Sequence, residues 1–204
     1  MTYKVMIVEV NNTVFSYTLK NSFYKIKNNK NIGFIKLQTH YDDFLFAFKS
    51  FIMRYLDRLI EHCIQAKKLV PDRTFEFTTL EQLPSHGRFI YVIQQIEGDI
   101  NTTFQQFQNF RLLKTHACAK LNRPSQFLYV GSSRHSIRNR LAQHLGFGHK
   151  STYALHLNQW FQGQYEITIH QYADTLPAEV LQLIEDDLAD QLQPAFGKSG
   201  ANNK

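Results

Sequence analysis

The segment Phe127-Leu-Tyr-Val-Gly-Ser-Ser133, followed by Arg140-Leu-Ala-Gln-His144, carries the chemistry-bearing side chains at their highest density. It reads as a strand ending in a small-residue turn that feeds a helix. Tyr129 supplies a hydroxyl on the strand. Arg140 and His144, four residues apart, share one helix face. A hydroxyl, a guanidinium and an imidazole beside a Gly-Ser-Ser turn suit a phosphodiester better than a sugar or a peptide. Arg140 would hold the phosphate and stabilise charge developing on it. His144 would hydrogen-bond the attacking water or a tyrosine hydroxyl, or shuttle a proton. A further tyrosine, Tyr91, sits mid-strand in Phe89-Ile-Tyr-Val92; for either tyrosine alone, core packing with a satisfied hydroxyl is the commoner role.

Glu185 is the matching acid. In the last helical pattern Leu181, Ile184, Leu188 and Leu192 face the core, and Glu185 projects from that stripe or its edge. A carboxylate there must be paired, hydrogen-bonded or metal-bound to offset desolvation. A salt bridge at the helix edge is one outcome. Magnesium, which takes oxygen ligands and keeps several waters, is the other.

The elements that must position these groups follow from patterning. Residues 3–10 and 13–20 are β-rich runs joined by Asn11-Asn12, a tight-turn pair. Gly33 to Leu37 reads as a further strand. A helix is expected from about Asp42 to Lys68, with Phe44, Phe48, Phe51, Ile52, Tyr55, Leu59 and Cys63 as a stripe for core packing. Residues 71–84 read as a junction. Beyond it come a strand at Gly87–Ile93, a polar helix at 101–121, the Phe127–Gly131 strand and the Ser136–Leu145 helix. A helix at Tyr153–Phe161, a strand at Tyr165–Tyr172 and a helix at Pro177–Gln193 complete the chain. This pattern predicts an α/β (α+β) fold of two regions, 1–80 and 85–204.

Composition narrows the class. The 204 residues carry a net charge of +6, but its distribution says more. Between Asp99 and Glu166 there is no acidic residue, while Arg111, Lys114, Lys120, Arg123, Arg134, Arg138, Arg140 and Lys150 all fall there. A one-signed patch attracts a polyanion and binds it in a salt-dependent way. Cys63 and Cys118 stand alone, which supports neither a disulfide framework nor a zinc site. No apolar run approaches the roughly 18 residues of a membrane span, and the first residues lack a signal-peptide pattern. The expectation is a cytoplasmic protein with no membrane partner.

From about residue 87 onward the chain resembles the GIY-YIG nuclease superfamily. Tyr91 in Phe-Ile-Tyr matches its first signature tyrosine, and Tyr129 in Tyr-Val-Gly its second. Gly-Ser-Ser followed by Arg140 and His144 is similar to the family's helix motif, and Glu185 upstream of Pro194 to its metal-binding glutamate. Gly197 stands at the usual place of a family asparagine, for which Asn202 or Asn203 is the substitute. An insertion at about 94–126 separates the two tyrosines and resembles those of restriction-enzyme members. The resemblance implies a small mixed β-sheet flanked by helices and a Mg2+- or Mn2+-dependent endonuclease acting on DNA. In that reading Tyr91 or Tyr129 orients or deprotonates the attacking water, Arg140 binds the phosphate, His144 supports the proton network, and Glu185 holds the metal. The window from Arg111 to Lys150, with the Ser132 and Ser133 hydroxyls, carries the nucleic acid mainly through phosphates. Residues 1–80 or the insertion would supply base readout or a homodimer interface. Two other classes stand beside this one: a catalytically inactive nucleic-acid-binding protein, and a protein-interaction module.

Overall fold

The computed structural model describes residues 5–10, 13–20, 23–27, 32–36 and 41–197, with side chains from Arg54 onward. It divides into two compact units, Met1–Leu59 and Ile60–Lys204. In the first, β1 (Val5–Val10), β2 (Thr13–Lys20), β3 (Phe23–Lys27) and β4 (Ile32–Lys36) form an antiparallel meander in chain order. Val10 pairs with Thr13, as the expected hairpin requires; Asn11 and Asn12 lie outside the described residues. Helix α1 (Tyr41–Lys68) begins in this unit and ends in the second with Lys67 and Lys68 in its last turn, where cations favour the helix dipole. Of its expected core stripe, Tyr55, Leu59 and Cys63 are exposed.

The second unit holds the candidate site. Its sheet comprises β5 (Arg73–Glu76), β6 (Arg88–Glu97), β7 (Phe127–Ser133) and β8 (Gln164–Tyr172), in the order β5-β8-β6-β7. Every pairing is antiparallel, so the sheet is not mixed. The fold is α+β. Central strand β6 is buried from Phe89 to Ile93 because both faces are covered. On one face Phe89, Tyr91 and Ile93 join Ile167 and Ile169 under α2 (Ile100–Leu112) and α3 (Ile137–Leu145). On the other, Ile90, Val92 and Val130 meet α4 (Ala178–Leu192), whose Val180, Leu181 and Ala189 are buried. Ala66 and Leu69 pack beside that helix cluster.

Four further expectations change. β5 lies inside the stretch read as a junction and pairs with β8, so the second sheet starts before residue 85. Phe75 is its single inward side chain, too little alternation to signal a strand. The 101–121 helix stops at Leu112: Leu113 caps it and Lys114 takes a positive φ of 52°, turning the chain. Residues Tyr153–Phe161 are not a helix but extended chain leading to one 3-10 turn at Leu157–Gln159. His156 adopts φ 54° and Ala154 bridges Cys118. Finally, the 94–126 insertion is no appendage. Asp99 caps α2 through Thr102, and Phe107 fills the core 4.2 Å from the Phe196 ring and 4.9 Å from Trp160.

No helix among the described residues is long and apolar enough to cross a membrane. Because Phe107 is fully buried, Phe107→Ala is expected to cost about 3–5 kcal/mol. Urea denaturation would show this as a lowered midpoint at unchanged m-value; a loss under about 1 kcal/mol would place α2 outside the core.

Candidate functional site

Register builds the site. Tyr91 on β6 pairs directly with Gly131 on β7, so the tyrosine side chain lies over a position without a Cβ. A methyl at Gly131 would meet the Tyr91 hydroxyl at 2.5 Å and a Tyr129 ring carbon at 2.7 Å. The bare glycine therefore lets both rings lie stacked, their centroids 6.2 Å apart and planes within 10°. Helix α3 crosses this face. Ser136 caps its start and Gly146, at φ 101°, ends it; Ile137, Leu141 and Leu145 anchor it in the core.

That anchoring turns Arg140 onto the tyrosines. Its Nε donates to the Tyr91 hydroxyl at 3.1 Å and its Nη2 to the Tyr129 hydroxyl at 3.2 Å. Nη1 donates to Gln143 Oε1 at 2.9 Å and to the Tyr153 carbonyl at 3.3 Å. Every acceptor is neutral. His144, one turn on, is fully buried. The Leu155 N–H donates to its Nδ1 at 3.4 Å, which puts the ring proton on Nε2. Nε2 then donates to the Tyr91 hydroxyl at 3.0 Å. Burial, reinforced by Arg140 and then His156, holds His144 well below the usual histidine range. It is a neutral donor at pH 7.

Burial also raises both tyrosines, against the opposing pull of Arg140. Their hydroxyls keep their protons at neutral pH, which favours orienting over deprotonating a water. They are not equivalent. Tyr91 is fully buried, whereas Tyr129 is part-exposed.

Glu185 arrives from the opposite face of the sheet. Ile90, which packs against α4, pairs with Ser132, so Ser132 also points toward that helix. Its hydroxyl donates to Glu185 Oε2 at 2.5 Å. β7 is an edge strand, and the Ala195 and Phe196 N–H groups cover only its start, bonding the Phe127 and Leu128 carbonyls. At the remaining edge a cavity of about 250 Å³ is lined by Lys120, Tyr91, Tyr129, Ser132, Arg140 and Glu185. Tyrosines from one face and the carboxylate from the other thus share one space. Burial raises the Glu185 carboxyl above the usual range, opposed by the Ser132 hydrogen bond; Asp186 adds to the rise and Arg140 counters it.

This donor set fits a hard divalent ion: one half-buried carboxylate and neighbouring hydroxyl oxygens, with room for waters or a phosphate. Among the described residues no group of three or more His, Cys, Asp or Glu side chains converges, so Glu185 would be its carboxylate ligand. Gly197 also lines the cavity, but as backbone only. Its φ is 112°, and a Cβ would stand 2.9 Å from the Tyr129 ring. No asparagine side chain fits there. Asn202 and Asn203 lie outside the described residues.

The expected nucleic-acid-binding residues divide. Ser132 and Lys120 line the cavity. Lys114, Lys150 and Arg134 are exposed, Arg111 is half-buried at the end of α2, and Ser133 is buried. Arg138 is spent on the Glu81 and Leu83 carbonyls, at 3.0 and 3.4 Å. Arg123 donates to Gln193 Oε1 at 2.7 Å, beyond α4. Two members went unnoticed in the sequence. Gln143 is readable in hindsight, three residues from Arg140 on the same face. Tyr153 left no signal, because its backbone carbonyl makes the contact. No family model, curated protein or solved structure matches the chain.

Two substitutions check this geometry. Because folding depresses the His144 pKa, its stabilising contribution is complete above the unfolded value near 6.5 and is lost as pH falls below it. Between pH 6.5 and 5.5 the parent should lose about 1 kcal/mol more than His144→Gln in urea titrations; parallel pH slopes would mean an imidazolium in the fold. Gly131→Ala should cost about 1–3 kcal/mol by overpacking against the two rings, and unchanged stability would argue against the stacked arrangement.

Proposed function

We propose that this chain is a GIY-YIG-type endonuclease that hydrolyses DNA phosphodiester bonds with Mg2+ or Mn2+. One observation carries the reading. A half-buried guanidinium bonded to two tyrosine hydroxyls shares a cavity with a half-buried carboxylate from another helix. A non-bridging oxygen of the scissile phosphate would satisfy Arg140, with Lys120 adding charge from the cavity wall. The part-exposed Tyr129 hydroxyl orients the attacking water. Tyr91, buried between Arg140 and the neutral His144, positions both and does not itself meet solvent. Glu185 holds the metal, Ser132 fixing its carboxylate. When bound, the ion supplies charge stabilisation for the leaving 3′ oxygen.

Gly197 favours one rival: a DNA-binding protein that no longer cuts, since the backbone there excludes a side chain that the family resemblance would have in the site. Plasmid nicking separates the two. The parent protein with Mg2+ is expected to nick and EDTA to stop it. Glu185→Gln should abolish nicking while leaving the fold at least as stable, since partial burial already disfavours the charged carboxylate. Arg140→Ala should lower turnover by about 10²–10³-fold or more. DNA binding by the parent without metal-stimulated nicking would select the rival.

A further inference from the structure

Two segments that reach the cavity wall, 117–121 and 146–154, are stitched together by their backbones. The Ala117 N–H donates to the Lys150 carbonyl at 2.8 Å, Ala119 N–H to the Ala154 carbonyl at 3.2 Å, and Ala154 N–H to the Ala117 carbonyl at 3.4 Å. The stitched rim carries Lys120 on one segment and Lys150 on the other, with Lys114 just before it, all exposed and with no acidic residue in either segment.

Aromatic rings are interleaved with these charges. Phe147 is 69% exposed and Tyr153 is 71% exposed, the two most exposed aromatic side chains among the described residues. Both are fixed by their backbones rather than by their rings. The Phe147 N–H donates to the Ala142 carbonyl at 2.8 Å where α3 ends, and the Tyr153 carbonyl accepts from Arg140. The Tyr153 ring therefore stands at a cavity whose guanidinium its own backbone helps to orient. Exposed aromatic faces on a basic track are the physical requirement for binding unstacked bases, since every base has a π-face and the lysines neutralise its phosphates. Bases inside a duplex are already stacked and offer no free face.

We infer that this rim binds an unpaired stretch of DNA beside the scissile phosphate, with one base stacked on Tyr153 and a neighbouring base on Phe147. The preferred substrate is then DNA with a single-stranded arm, such as a fork, and not a continuous duplex. This inference rests on the nuclease reading for its scissile phosphate but is tested by binding.

The test uses the full-length Glu185→Gln protein, which should leave bound DNA intact. Two oligonucleotide substrates of matched sequence are titrated, a blunt duplex and a fork whose single-stranded arm carries a fluorescent adenine analogue. The fork should bind more tightly, and stacking should change the fluorescence of the analogue. Adding Tyr153→Ala should reduce the fork-over-duplex affinity ratio about ten-fold, the effect of one stacked base, and Tyr153→Trp should retain it. Lys150→Ala should weaken binding and reduce the salt slope by about one. Equal affinity for fork and duplex, or a ratio indifferent to Tyr153→Ala, overturns the inference. Nicking assays on the parent protein keep the two ideas apart. A Tyr153-dependent fork preference without metal-stimulated cleavage upholds the rim and removes the nuclease; cleavage without that preference does the reverse. No binding to either DNA overturns both.

Discussion

The site depends on one half-buried positive charge that folding leaves without a hydrogen-bonded carboxylate. Arg140 donates to two tyrosine hydroxyls, an amide oxygen and a backbone carbonyl, all neutral. Four such bonds fix the guanidinium plane but do not cancel its charge, and an anion entering the cavity gains from both the geometry and the uncompensated field. The raised tyrosines and the depressed histidine follow from the same burial. Around Arg140 the protein keeps its titratable neighbours neutral: Tyr91 and Tyr129 protonated, His144 without charge.

The second constraint is the sheet edge. Helix α4 lies across the sheet from the tyrosines, an arrangement that would separate acid from base at any interior strand. At β7 the sheet ends, and Ser132 draws Glu185 to a cavity whose other wall is the Tyr91–Tyr129 stack. Two glycines keep that space open, for different reasons. Gly131 gives way to the Tyr91 ring directly opposite, whereas Gly197 holds a left-handed backbone against the Tyr129 ring. A side chain at either position would push the rings that Arg140 reads.

How much of this was legible varied with the range of the forces involved. Helices α3 and α4 and strands β6, β7 and β8 follow from local periodicity and caps, so their patterns stood out. β5 did not, because an edge strand with one inward residue looks like a loop. The helix expected at Tyr153–Phe161 failed for a tertiary reason: Ala154 pairs with the 117–119 segment, which overrides any helical tendency. Among the basic residues, type and charge were plain from the start. That Arg138 would be taken up by the carbonyls of Glu81 and Leu83 was not, since that contact joins segments over fifty residues apart.

By itself, then, the amino-acid order determined which chemical groups exist, which of them share a helix face or a strand, and that residues 100–165 form a stretch without acids. Those are properties of covalent spacing and helical or strand period, which need no partner. Only the tertiary structure decided that Tyr91 sits over Gly131, that Glu185 rounds the sheet edge to join Arg140, and that two distant loops place Tyr153 beside Lys120. Such juxtapositions depend on register and packing between elements, and a one-residue slip of β6 against β7 would send the tyrosine to the other face.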